Sequence, residues 1–113
     1  DEISIAAATR VAELRNGDIS TYTVTPEEFG MQRASLDGLA VGDAAQSLAM
    51  IEAVFDNQPG PALDIVRLNA GAAIYAADLT ETLQQGVELA SEVIASGRAK
   101  QTFAALIDVS RTV

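Results

Sequence analysis

The sequence predicts a β-hairpin followed by about four helices, an α+β arrangement for these residues taken alone. Three observations carry that prediction. Asn16-Gly17 separates two runs rich in β-branched residues, capping signatures recur at Thr25 and Asp43, and from residue 44 onward apolar residues recur at helical spacing. With 113 residues the chain is one domain's worth, enough for a single core.

The chain opens DEISIAAATRVAEL, with Asp1 and Glu2 leading into a strand-like stretch, so the two carboxylates are expected at a strand end. The hairpin is expected over residues 9–25. Asn-Gly tolerates the positive φ angles of a type I′ turn, and a two-residue loop sets Leu14 opposite Ile19, Val11 opposite Tyr22 and Thr9 opposite Val24. These pairs are expected to give the hairpin one face of β-branched and aromatic residues. Because a hairpin alone is not stable in water, that face needs an apolar partner.

Thr25-Pro26-Glu27-Glu28 has the form of a capping box with Pro at the first helical position, and Gly30 stops it after about one turn. Asp43-Ala44-Ala45-Gln46 repeats the signal and opens a helix over about 44–55, with Leu48, Ile51 and Phe55 as its apolar stripe; DNQPGP ends it. The next helix, about 62–77, is apolar nearly all round, which predicts a place in the middle of the packing, with Ala70, Gly71, Ala72 and Ala73 allowing close backbone approach. Its Asn69 has two readings, an amide satisfying a neighbouring backbone group or a ligand contact. A helix over about 79–96 carries Leu83, Val87, Ala90 and Ile94 on one face. The last helix, about 98–109, carries Phe103, Leu106 and Ile107.

Composition narrows the function classes. A formal net charge of −9 argues against nucleic acid and against an anionic membrane surface as partners, since both require a cationic face. The chain has no Cys, hence no disulfide or thiolate chemistry, which is compatible with a cytosolic origin. With no His, imidazole acid–base work and His-ligated zinc are absent from these residues, leaving carboxylates, hydroxyls and backbone groups. The apolar stretch Ala70–Ala77 is too short to cross a bilayer, and the first residues lack the regions of a signal peptide, so the chain reads as soluble. Asp1 and Glu2 again have two readings. They are solvated charge, or a site for Mg²⁺, a hard cation that takes one or two protein oxygens and completes its shell with water and phosphates.

The strings DEIS, TRVAELRNGDI, YTVTPEEFG, DIVRLNAGAAIYAA, TLQQGVELA and IASGRA, in that order and over essentially the whole chain, resemble the C-terminal part of the anthranilate phosphoribosyltransferase family. The related pyrimidine nucleoside phosphorylases share the architecture, but LNAGAAIYAA and VELASEVIASGRA favour the transferase. A binding or structural module without catalysis is the remaining alternative. The resemblance implies the C-terminal part of a nucleoside phosphorylase/phosphoribosyltransferase-type α/β domain. It also implies an enzyme that transfers phosphoribosyl from phosphoribosyl pyrophosphate to anthranilate in tryptophan biosynthesis. Only Asp1 and Glu2 are carried over as site residues, as ligands of Mg²⁺ beside the diphosphate; no catalytic or cofactor-binding residue is assigned.

In that family about two thirds of the polypeptide precedes the acidic motif, including the glycine-rich loop, the anthranilate contacts and the helical domain of the homodimer. The resemblance therefore implies that this chain is a piece of a cytoplasmic homodimeric enzyme and is inactive alone. Where many family members have Gly-Pro after the acidic motif this chain has Ala6-Ala7-Ala8, which leaves the local loop geometry open.

Overall fold

The computed structural model describes residues 2–113, and has the expected hairpin and four helices. Strands β1 (Thr9–Arg15) and β2 (Asp18–Val24) form a two-stranded antiparallel sheet, followed by 3₁₀ turns at Pro26–Phe29 and Leu36–Leu39. Helices α1 (Ala44–Phe55), α2 (Pro61–Ala76), α3 (Leu83–Ala95) and α4 (Arg98–Ser110) complete the order. No helix among the described residues is long and apolar enough to cross a membrane.

The hairpin turn is the one its sequence requires. Asn16 and Gly17 have φ of 52° and 83°, and the register pairs Leu14 with Ile19, Val11 with Tyr22 and Thr9 with Val24. The expectation of one apolar face is corrected. Side chains alternate along a strand, so Leu14 and Ile19 lie on the opposite face from Val11 and Tyr22, and they are 71% and 74% exposed. The inward face carries Thr9, Val11, Glu13, Tyr22 and Val24.

Two apolar clusters hold the molecule. The first joins Ile5, Met31, Leu68 and Val87, and the second joins Val54, Leu63 and Ile94. Between them α2 lies against α3 at backbone distance: a Cβ on Gly71 would stand 2.5 Å from the Val87 Cα, and one on Gly86 would stand 2.3 Å from the Gly71 carbonyl oxygen. The small residues of α2 thus do what their size predicts. The helix is not covered on every side, however, since Val66, Ala73 and Ala76 are exposed.

The apolar stripe expected on α1 is also corrected. Val54 is the buried residue there, while Leu48 and Ile51 are 45% and 39% exposed; Phe55 stacks on Phe103 of α4 with ring centroids 4.8 Å apart. The third helix begins at Leu83 rather than at residue 79. The reason is the end of α2, where Asp78 adopts φ of 60° and the Leu79 N–H donates back to the Ile74 carbonyl, a Schellman closure that uses Leu79 as part of the stop. Thr82 then caps α3 by accepting from the Gln85 N–H.

Capping signals elsewhere are realised. The Glu28 carboxylate accepts from the Thr25 N–H and hydroxyl, Gly30 turns left-handed at φ 73°, and Asp43 accepts from the Gln46 N–H at 2.8 Å. Gln46 in turn accepts from the Gly42 N–H, one residue upstream of the cap.

Candidate functional site

Asp1 lies outside the described residues, so the structure addresses the acidic motif through Glu2 and the segment that leads from it to β1. Glu2 is exposed and sits in an irregular stretch, not at a strand end: β1 begins only at Thr9. The segment between is held at several points from Ile3 to Ala6. The Ile3 N–H donates to Asn69 Oδ1 at 2.8 Å, and Asn69 Nδ2 donates to the Ile3 carbonyl at 2.9 Å. The Ser4 N–H donates to Thr9 Oγ1 at 3.0 Å. Ile5 is fully buried, and its carbonyl accepts from the Ala34 N–H. At the start of Ala6-Ala7-Ala8, Ser4 Oγ accepts from the Ala6 N–H at 3.0 Å, and the Ser4–Thr9 hydrogen bond spans the whole turn.

Asn69 therefore belongs with the acidic motif, although 66 residues separate it from Ile3. Its second amide hydrogen goes to the Ile65 carbonyl at 2.9 Å, one turn back on α2. That arrangement fixes the amide's orientation, since the oxygen must face the one N–H and the nitrogen the two carbonyls. Of its two readings from sequence, the amide that satisfies backbone is the one realised here, and its partner is the motif's own segment.

An open groove of about 810 Å³ runs from Glu2 along β1 to α2, with Thr9, Glu13, Tyr22 and Tyr75 among its lining residues. At its far end Glu13 accepts two phenol hydrogen bonds, from Tyr75 at 2.7 Å and from Tyr22 at 2.9 Å. The Tyr75 hydroxyl, then that of Tyr22, holds the Glu13 carboxyl below its ordinary range despite some desolvation. Partial burial, reinforced by the Glu13 carboxylate, pushes Tyr22 up to about 12. The hydrogen bond to Glu13 likewise raises Tyr75. Arg15 lies 5.2 Å over the Tyr75 ring and 3.6 Å from the Glu13 carboxylate. This network docks the hairpin on α2, and no sequence motif marks it. The only available signal was register, which sets Tyr22 diagonal to Glu13 on the inward face.

Whether the motif suits a divalent cation depends on its donors. Glu2 offers a hard, exposed carboxylate at the groove's edge, and no group of three or more His, Cys, Asp or Glu that could hold a metal occurs among the described residues. An exposed carboxylate of this kind is compatible with Mg²⁺, which accepts one or two protein carboxylates and fills its octahedron with water and phosphate oxygens.

A family profile described as glycosyl transferase family, a/b domain, matches residues 1–100. An anthranilate phosphoribosyltransferase of Methylococcus capsulatus is 59% identical over 111 residues, covering 98% of this chain and 33% of the relative. That of Thioalkalivibrio sulfidiphilus is 55% identical over 107 residues, covering 95% and 32% respectively. The chain thus spans about a third of the length of the curated relatives it matches. Among solved structures, anthranilate phosphoribosyltransferase from Thermus thermophilus superposes with a TM-score of 0.78 at 40% identity, covering 89% of this chain and 30% of that one. The enzyme from Saccharomyces cerevisiae, in complex with 4-fluoroanthranilate, superposes with a TM-score of 0.80 over the whole chain and 33% of its own; at 20% identity that likeness speaks to the fold alone.

Proposed function

Since the chain belongs to the glycosyl transferase family, a/b domain, we propose that it forms part of an anthranilate phosphoribosyltransferase and contributes the acidic metal motif of that enzyme. The observation that carries this reading is the 59% identity to the Methylococcus capsulatus relative over 98% of the chain. The reaction joins the anthranilate amine to the anomeric carbon of phosphoribosyl pyrophosphate. A C–N bond forms, the C–O bond to pyrophosphate breaks with its electron pair, and the amine loses a proton to solvent. The full enzyme is a cytoplasmic homodimer in this reading.

Positive charge grows on the ribose and negative charge on the departing diphosphate, so fixed charge beside the diphosphate stabilises the transition state. Mg²⁺, when bound, supplies that neutralisation. Asp1 and Glu2 would hold it; they act electrostatically and move no proton. Ile5 in the core and the hydrogen bonds at Ile3 and Ser4 hold Glu2 to a fixed platform while its carboxylate stays in solvent, where water can complete the cation's shell.

The test is an exchange. Grafted in place of the matching third of the Methylococcus capsulatus relative, this chain should sustain Mg²⁺-dependent consumption of anthranilate in the presence of phosphoribosyl pyrophosphate. Replacing Asp1 and Glu2 there by Asn and Gln should lower turnover by at least about 10²-fold, roughly 2.7 kcal/mol of transition-state stabilisation. A folded graft without turnover would overturn the assignment of activity, and near-normal turnover of the double substitution would overturn the assignment of the metal motif.

A further inference from the structure

We infer that Asn69 is a positioning residue for the metal motif: by clamping both backbone polar groups of Ile3 it sets the direction in which the preceding carboxylates reach a divalent cation. The inference rests on the metal reading proposed above. Its basis is the geometry of one amide. Asn69 Oδ1 takes the Ile3 N–H at 2.8 Å and Nδ2 gives to the Ile3 carbonyl at 2.9 Å, so a side chain pairs with Ile3 on both of its backbone groups, much as a neighbouring strand would. The remaining Nδ2 hydrogen is taken by Ile65 at 2.9 Å, which removes the freedom to flip.

The clamp's position in the chain gives it a role beyond anchoring. Ile5 is already fixed by complete burial, and the Ser4 N–H is already held by Thr9. A segment needed only to cover the core would be secured by those contacts. The Asn69 clamp adds a further fixed point at Ile3, the first residue after the acidic pair, and Glu2 is one peptide link from it. Rotation about the Ile3 backbone would swing both carboxylates, and the paired hydrogen bonds restrain that rotation. Asn is a poor residue for a helix interior, because its amide competes with the helix ladder for backbone partners. At position 69 that competing capacity is directed at another segment.

In the 113-residue chain without metal, the Ile3 amide should exchange slowly, and Asn69→Ala should speed that exchange by about tenfold or more while the interior amides of α2 keep their protection. In the grafted enzyme the concentration of Mg²⁺ for half-maximal rate is the readout. Glu2→Gln should raise it, Asn69→Ala should raise it by about 10- to 100-fold as outer partners of metal ligands do, and the double substitution should raise it no further than the larger single effect. The anthranilate KM should stay unchanged. Asn69→Asp keeps the acceptor for the Ile3 N–H and loses both donors, so it should fall between wild type and Asn69→Ala; it also serves as the second variant if Asn69→Ala fails to fold.

Three outcomes overturn the inference. If Glu2→Gln raises the Mg²⁺ requirement and neither Asn69 substitution does, the metal reading survives and the positioning role falls. If the Asn69 and Glu2 effects are fully additive, Asn69 acts through stability and not through the carboxylate. If Glu2→Gln leaves the Mg²⁺ requirement unchanged, the metal reading itself fails and the positioning role goes with it.

Discussion

The hairpin with its leading segment and the α2–α3 pair are held by different forces. Helices α2 and α3 meet through glycines at distances that exclude a methyl group, flanked by fully buried Leu68 and Val87. The leading segment and hairpin bury Ile5 and Val24 and add side-chain polar contacts, Asn69 on Ile3, Thr9 on Ser4, and Tyr75 and Tyr22 on Glu13. The first interface is set mainly by volume, with one polar contact across it where Arg67 Nε donates to Ser91 Oγ at 2.7 Å. The second is sensitive to single atoms and to protonation, and it is the one that carries the acidic motif.

The sharpest test of that contrast removes volume from the helix pair. Leu68→Ala should destabilise the chain by about 2 to 5 kcal/mol, because the side chain is 0% exposed and the site is walled by Ile5, Met31 and Val87. Chemical denaturation with unchanged slope would read it. A loss below about 0.5 kcal/mol, the range of surface changes, would mean that the core relaxes into the space and that α2–α3 packing is not tight. Adding volume should also hurt. Gly86→Ala places a methyl 2.3 Å from the Gly71 carbonyl oxygen, a backbone atom that cannot rotate away, so the helices must part, at a cost of about 1 to 3 kcal/mol. A wild-type melting temperature for Gly86→Ala would break the volume side of the comparison.

These two regions also differ in how far the sequence revealed them. Local signals were legible: the Asn16-Gly17 turn, the Glu28 and Asp43 caps, and the small residues of α2 that let α3 approach are all set by neighbours within a few positions. Choices between faces were not. Leu48 and Ile51 look like a core stripe because they fall at helical spacing, but α1 buries Val54 instead; helical periodicity gives a face without saying which neighbour will cover it. The third helix was read too early because Leu79 is apolar, while Asp78 and Leu79 are consumed in closing α2. At the site, resemblance alone singles out the acidic pair, whose role as metal ligands is a proposal, and Asn69 stood out as a polar residue in an apolar helix. The partner of Asn69, 66 residues away, was not legible, since a side chain pairing with an irregular backbone leaves no pattern in either stretch.

The pH side of the comparison rests on Glu13. Its folded pKa lies below the ordinary value of 4.5, chiefly through the Tyr75 hydroxyl, so the docking it supports is fully present above about pH 4.5 and is lost as pH falls through the lower folded value. Tyr22 has the opposite sign. Its folded pKa is raised from 10.0 to about 12, so its contribution is complete below pH 10 and is lost as pH rises through about 12. Hairpin amide exchange should therefore show a plateau between those limits with faster exchange on both sides, while amides in α2 that face α3 show neither edge once intrinsic exchange is divided out. Tyr75→Phe removes the stronger of the two phenol hydrogen bonds on Glu13 and should move the acid edge toward the ordinary carboxylate value without altering helix protection. An acid edge that stays in place would mean that the phenol does not set the Glu13 carboxyl.

The smallest expected effect bears on the outward face of the hairpin. Leu14 and Ile19 are directly paired and apolar, and by sequence alone they belong to the hairpin's core side. The strand's alternation puts both on the face opposite Val11 and Tyr22, leaving them 71% and 74% exposed and directly paired across the strands. Burial there is too slight to resemble a core truncation, and the cross-strand pair is worth only about 0.2 to 1 kcal/mol relative to Ala–Ala. The Leu14→Ala and Ile19→Ala pair, made together in the 113-residue chain, should therefore cost no more than that and should leave the Tyr75–Glu13 hydrogen bond and the acid edge of hairpin exchange untouched. Equilibrium unfolding of the double substitution measures the first quantity, and exchange at low pH the second. A loss comparable to that of Leu68→Ala would show that this face is covered in solution by something the chain's own helices do not provide, and the division into a volume-limited helix pair and a polar-latched hairpin would then have to be redrawn.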